Sequence, residues 1–287
     1  MKQTTSSMRP LTLKRVIEIC NLALRKKVFD ERIVMQELGT SRNRAKELIL
    51  ECERMKIVQK CPQGFAANSN TSTLIELFEQ EDWAGFHQYF LHNYPIYNQF
   101  IQLLSAHIAE ERGLAISQMV KEAKARKLQL NQTTIEVLQN WCERLGILQR
   151  HLYTKRFYLL ADEETDYARF KEAFEDSYHG LNITRGLGLK LTYVEIPKLR
   201  EETCEKLKIR REIFDVFLKR LCTESIGQIE LSGAPAMTVA KKSPLSIRIM
   251  KASKKHDILA PHLDLSKERE GIEIGGKAYY YVALHEK

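Results

Sequence analysis

Apolar positions at the start of the chain recur first at helical spacing and then at the spacing of a strand. Leu13, Val16, Ile17, Cys20 and Leu24 form a helical stripe within residues 11–26. Asp30 is placed to cap a second helix that ends near Gly39, and Ser41 to cap a third that runs to about Met55. In the third, Ala45, Leu48, Cys52 and Met55 share one face and are expected to be buried. Residues 57–59 then predict a strand, 61–64 a turn and Phe65 with Ala66 a short return.

The same order returns further along. LILECERMKIVQK at 48–60 and LQNWCERLGILQR at 138–150 align at a fixed offset of 90, pairing Leu48 with Leu138, Cys52 with Cys142, Arg54 with Arg144 and Ile57 with Ile147. Ahead of the second copy, residues 97–112 and 116–128 predict helices and Asn131 caps a third. A strand over 147–152 turns near Thr154 and Lys155 into another over 157–160. A looser third copy, FLKRLCTESIGQIEL, occupies 217–231, with one extra residue before its strand. Around it, 193–196 predicts a strand, Pro197 the first turn of a helix, and 210–224 a further helix. The strand at 228–231 is expected to pair with a C-terminal hairpin, GIEIGGKAYYYVAL, which turns at Gly275 and Gly276. A period far longer than that of a solenoid indicates duplicated small domains.

Helix, helix, helix, hairpin in this order resembles the winged-helix superfamily, a helix-turn-helix variant. The resemblance implies a mainly α fold with small β-hairpin wings, as three tandem winged-helix domains joined by helical connectors. The copies cover 9–68, 97–161 and 190–287, the last with a long basic insertion at 232–270. The connectors are 71–96, rich in aromatic residues, and 162–189, which is acidic. Tyr167, Phe170, Phe174 and Tyr178 share one face in the acidic connector, as in an opening helix of the third copy. In the aromatic connector, Trp83, Phe86, Phe90 and Tyr94 fall at helical spacing. These rings and Tyr89 are expected to pack against the flanking copies. The alternative is a surface for a protein partner or a homo-oligomer, since aromatic residues dominate interface hot spots. Base stacking there is disfavoured, because no Lys or Arg accompanies the rings.

Charge follows the same division. The formal net charge is +8, but residues 1–70 carry +7, 71–110 carry −5, 111–160 carry +5, 161–180 carry −5 and 181–287 carry +6. The cations therefore lie on the three copies, and the connectors are acidic. Helix-turn-helix proteins set the third helix in the major groove, while Lys and Arg on phosphates supply affinity. The resemblance thus implies double-stranded DNA as partner, contacted in the first copy by Arg42, Asn43, Arg44, Lys46 and Lys60. Arg and Lys suit guanine and Asn suits adenine, so these residue types can read bases. In the second copy the expected contacts are Gln132, Thr133, Thr134, Arg150, Lys155 and Arg156, with His151 beside them at the wing. In the third they are Lys208, Arg210 and Arg211, with Lys241, Lys242, Lys254 and Lys255 in the insertion.

Other chemistries lack a foothold in the sequence. Residues 83–109 are free of Asp, Glu, Lys and Arg, but His87, His92, Asn93, Pro95 and several Gln and Asn residues argue against a membrane span. Lys14, Arg15 and Glu18 stand where a signal peptide needs its apolar core. The six cysteines form no CxxC pair, so reduced thiols and a cytoplasmic protein are expected. The Gly186-Leu-Gly188-Leu-Lys190 stretch lacks the glycine and the Ser/Thr of a phosphate loop. No histidine spacing suits zinc and no nucleophile has a recognisable setting, so no catalytic residue, metal or cofactor is expected. The expected function is that of a non-enzymatic DNA-binding protein, a transcriptional regulator or the DNA-contacting subunit of a larger complex. The alternative is a protein-interaction adaptor built on the same modules.

Overall fold

The computed structural model describes residues 8, 10–161, 165–183, 193–233, 254–260 and 263–285. The protein is mainly helical with small antiparallel sheets, and it divides into two compact units. Unit 1 comprises Met1–His107, Leu114–Leu148 and Lys251–Leu263; unit 2 comprises Ile108–Gly113, Gln149–Met250 and Asp264–Lys287. Residues 97–161, read from the sequence as one winged helix, contribute to both.

Unit 1 opens with α1 (Leu13–Arg25), α2 (Glu31–Leu38) and α3 (Arg42–Arg54), followed by strands β1 (Val58–Cys61) and β2 (Gly64–Ala67). The expected caps form: Asp30 accepts from the amides of Arg32 and Ile33 at 3.0 Å, and Ser41 from that of Arg44 at 3.3 Å. Such caps contribute about 1 kcal/mol each by satisfying amides that the first turn leaves free. The buried face of α1 is wider than the stripe read from the sequence: Ile19, Leu22 and Ala23 join it, while Leu24 is exposed. Phe29, between α1 and α2, bridges Phe65 of β2 with hydrogen bonds of 2.9 and 2.8 Å, adding a third strand position to the hairpin. This approach requires Gly64, at φ 145°, because a Cβ there would lie 2.5 Å from the Phe29 carbonyl oxygen.

The aromatic segment forms α4 (Asn70–Glu79) and α5 (Trp83–Asn93), and Pro95 opens α6 (Pro95–Ser105). α6 stops earlier than expected, and the chain turns ahead of the exposed Glu110, Glu111 and Arg112, which offer no apolar side chain to bury. α7 (Ile116–Ala125) and α8 (Gln132–Leu145) complete the helices of the second copy, with Asn131 accepting from the Thr134 amide at 2.8 Å. The sequence offset of 90 reappears in backbone geometry. Lys56 (φ 56°) and Gly146 (φ 71°) adopt the left-handed conformation after α3 and α8. Each is followed by a matching 2.9 Å bond, Ile57 N–H to Cys52 and Ile147 N–H to Cys142.

Unit 1 also holds an element from far along the chain, α12 (Lys254–Leu259), which packs on α8 and α1. Ile258 is buried, Lys255 Nζ lies 2.9 Å from Glu79, and Arg144 donates to the Ala260 carbonyl at 2.9 Å. The insertion expected as a basic wing therefore supplies a helix to the core of unit 1.

Unit 2 contains strands β3 (Leu148–Arg150, from its second residue) and β4 (Phe157–Leu159), then α9 (Tyr167–Ile183), β5 (Val194–Glu195), α10 (Ile196–Leu207), α11 (Arg211–Glu224), β6 (Ile229–Gly233), β7 (Ile272–Ile274) and β8 (Lys277–Leu284). The α9 face read from the sequence is core: Phe170, Phe174 and Tyr178 pack with Ile196, Leu199, Phe214, Leu218 and Val282. The sheet runs β5-β8-β6 with β7 on β8, so the expected Gly275–Gly276 hairpin forms, in the register Ile274 opposite Lys277. Arg200 fixes the chain's return from the insertion, donating to the carbonyls of Glu268, Glu270 and Gly271 while paired with Asp215 at 2.8 Å.

Three helix-to-helix turns share one geometry. Gly39, Lys127 and Lys208 are left-handed at φ 58°, 55° and 58°. The next amide in each reaches back five residues: Thr40 to Met35, Leu128 to Ala123 and Ile209 to Cys204. Among the described residues no helix is long and apolar enough to cross a membrane.

Candidate functional site

The first expected contact set lies where a ligand could reach it. α3 buries Ala45, Leu48 and Cys52, and this leaves Arg42, Asn43 and Lys46 exposed along its N-terminal half. Arg42 is 66% exposed and shares a 3.4 Å ion pair with Glu31; Arg44, half-buried, pairs with Glu47 at 3.2 Å. Exposed pairs of this kind contribute about 0–1 kcal/mol, so a phosphate can replace either carboxylate at little cost. Lys60 is exposed on β1. The far end of α3 is anchored: Tyr94 donates to the buried Glu51, and Tyr89 donates to the Met55 carbonyl at 3.0 Å.

In the second copy, Gln132 and Thr133 are exposed, but Thr134 is fully buried. The concentration of charge in this copy lies elsewhere than the sequence reading places it. Lys121, Lys124, Arg126 and Lys127 are all exposed on α7 and the turn that follows it. The spacing of three residues between the lysines is the signal that could have found them, whereas net charge by segment points to the wing.

The wing cations are mostly committed within unit 2. Arg156 makes two bonds to Glu205, Nε to Oε1 at 3.0 Å and Nη2 to Oε2 at 2.8 Å. Gly113 N–H donates to the same carboxylate at 2.9 Å. Arg150 is half-buried, its carbonyl taking a 2.6 Å bond from Arg211, while Lys155 remains exposed. In the third copy, Arg211 is buried against Glu201, and Lys208 is buried with Nζ donating to the Glu111 carbonyl at 3.1 Å. Loss of solvent pushes the Lys208 ammonium below its ordinary value. Lys208 and Arg211 are thus buried on internal acceptors, which disfavours a phosphate contact, and Arg156, half-buried, is committed to Glu205. Arg210 stays exposed. Lys241 and Lys242 lie outside the described residues, as does the Lys254 side chain, and Lys255 faces Glu79 rather than solvent alone.

His151, Glu202 and Glu205 bring their ligand atoms within 4.8 Å of one another, the one such group of three among the described residues. The hydrogen bonds do not suit a metal. His151 Nδ1 accepts from the amides of Tyr153 and Thr154, both at 3.2 Å, and Nε2 faces Glu202 at 3.3 Å. Glu205 is already occupied by Arg156 and Gly113. The cluster holds the β3–β4 loop to α10.

Burial pushes the Glu205 carboxyl up, but Arg156, the Gly113 amide and His151 together hold it below the ordinary 4.5. A carboxyl depressed in the folded state stabilises fully above its unfolded value and loses that contribution as pH falls through the folded value. Glu205→Gln should therefore cost about 1.5–3 kcal/mol at neutral pH, with the gap to the parent closing as pH drops below about 4.5. Urea unfolding at several pH values checks this; a gap that stays constant would contradict it.

The aromatic connector presents no exposed platform. Trp83, Phe86, Tyr89, Phe90 and Tyr94 are all buried in unit 1, where Phe90 sits 5.3 Å from the Trp141 ring. The exposed apolar residues of α11, Val216 at 63% and Ile213 at 37%, are of a different kind from the polar face of α3. No family model and no curated protein matches the chain.

Proposed function

We propose that the chain binds double-stranded DNA through unit 1, as a non-enzymatic, winged-helix-type protein acting in transcriptional regulation or as the DNA-contacting part of an assembly. The observation that carries this is the exposed Arg42, Asn43 and Lys46 row on α3, the third helix of a helix–helix–helix–hairpin array with Phe29 bridged to the returning strand. The three matching left-handed turns and the β5-β8-β6 sheet order support winged-helix-type modules in all three copies. Arg42 and Lys46 suit phosphates and guanine edges, and Asn43 suits adenine. Six cysteines without disulfides accord with a reducing cytoplasm.

Arg42→Glu/Arg44→Glu is expected to weaken duplex binding by about tenfold or more, since each reversal replaces an attraction to phosphate by a repulsion. Mobility shift of a labelled duplex, with a thermal melt as folding control, measures this. Unchanged affinity in a folded double variant would remove α3 from the interface.

A second reading applies to unit 2. Its cations at 208 and 211 are internal, and α11 shows Ile213 and Val216 to solvent, which favours a protein contact on that helix. Such a module would let the chain serve as an adaptor.

A further inference from the structure

α3 is not where the unneutralised charge of unit 1 is greatest. All three of its arginines, Arg42, Arg44 and Arg54, have a carboxylate within 3.4 Å. On α7 and the turn after it, Lys121, Lys124 and Lys127 follow one another at i, i+3 and i+6, and all three are exposed. Side chains three apart on a helix are neighbours, so Lys121 and Lys124 concentrate like charge on α7, and Lys127 adds a third cation in the turn just beyond it. The acid closest in sequence is Glu122, which is already shared by His107 at 2.8 Å and Arg126 at 3.0 Å. Among the described residues none of the three lysines has an ion-pair partner.

The equivalent turns sharpen the contrast. At the left-handed position of the three turns stand Gly39, Lys127 and Lys208. Gly39 has no side chain, and Lys208 is buried on a backbone carbonyl. Only Lys127 presents a cation to solvent from this position, a few residues ahead of the exposed Gln132 and Thr133 that open α8.

We propose that the Lys121–Lys124–Lys127 row is a second contact for the phosphate backbone of the same duplex, separate from α3. It rests on the reading of unit 1 as a duplex binder. The row takes polyanionic backbone rather than bases: ammonium groups are point charges that bind phosphate without reading sequence, and their mutual repulsion falls when phosphates stand between them. α3 then contributes sequence preference, and α7 contributes affinity that is uniform across sequences.

The test is the salt dependence of duplex binding, by fluorescence anisotropy on two duplexes of unrelated sequence. Lys121→Gln/Lys124→Gln/Lys127→Gln is expected to lower the slope of log Kobs against log salt by about 0.9 per lost contact, so by about 2.7 in total, equally on both duplexes. Lys→Arg at the same three positions, which keeps the charge, is expected to retain the parent slope. If the parent binds with a steep slope and the Gln variant keeps it, the α7 contact is overturned while the role of unit 1 stands. The α7 contact is likewise overturned if the Arg variant loses as much as the Gln variant. If the parent binds no duplex but does bind polyglutamate, both the duplex reading and this contact fall.

Discussion

Replacing Arg211 by methionine is expected to destabilise unit 2 by about 3–5 kcal/mol, much of the margin on which a small domain stands. Glu201, 0% exposed, accepts from Arg211 Nη2 at 3.0 Å and from the Leu152 amide at 2.7 Å, with Arg211 Nε on its other oxygen. Burial opposes the guanidinium charge, but Glu201 holds it firmly protonated. Removing the cation leaves a carboxylate in an apolar interior with a single amide for company, and it is this uncompensated charge that is costly. Glu201→Gln/Arg211→Met should therefore recover most of the loss, because the neutral amide oxygen still accepts from Leu152 and the uncompensated carboxylate at 201 is gone. Both tryptophans, Trp83 and Trp141, lie in unit 1, so unit 2 is followed by far-ultraviolet circular dichroism in urea. A loss below about 1 kcal/mol, or a double variant no more stable than Arg211→Met, would contradict this role for the pair.

Trp141→Ala should cost unit 1 a similar amount, about 3–5 kcal/mol, for a different reason. The indole is fully buried against Phe90 and Tyr94, at ring distances of 5.3 and 6.4 Å, and its removal leaves a cavity that close-packed neighbours fill only in part. It also donates at 2.7 Å to the Leu11 carbonyl, so the alanine variant orphans a buried acceptor just ahead of α1. Trp141→Phe separates the two effects: most of the packing stays, and about 1 kcal/mol is expected for the lost bond alone. Fluorescence of the remaining Trp83 in urea reports the unfolding of unit 1. Equal losses for the two variants would mean that the hydrogen bond, not the packing, carries the residue's contribution.

Local order is largely legible in the sequence, because caps, turns and hairpins are decided by neighbours along the chain. Asp30, Ser41 and Asn131 cap as read, the offset of 90 reproduces a left-handed residue and the bond after it, and the glycine pair at 275 and 276 turns the last hairpin. Partners distant in sequence are not legible. Nothing near Arg211 marks Glu201 as its companion in preference to solvent, since a basic residue at the start of a helix looks alike whether it faces water or a buried acid. The insertion at 232–270 resembles a cationic wing by its charge, yet Ile258, ahead of Leu259 and Ala260, buries itself in unit 1. The aromatic connector is ambiguous for a related reason: large rings at helical spacing suit a core and an interface equally, and only the position of α8 with Trp141 decides between them. At the candidate interface, residue types are readable but availability is not. The set on α3 stays open, Lys208 and Arg211 of the third-copy set are internal, and the lysines on α7 and the turn after it escape a sum of charge by segment because their exposure is a property of the fold.

The most direct test of the central claim is the affinity of the intact chain for a duplex of arbitrary sequence between about 50 and about 200 mM salt. If unit 1 grips the backbone through roughly six phosphates, affinity should fall about a thousandfold over that range, with log Kobs linear in log salt. Binding that is absent at low salt, or that does not change across the range, would contradict DNA as the partner.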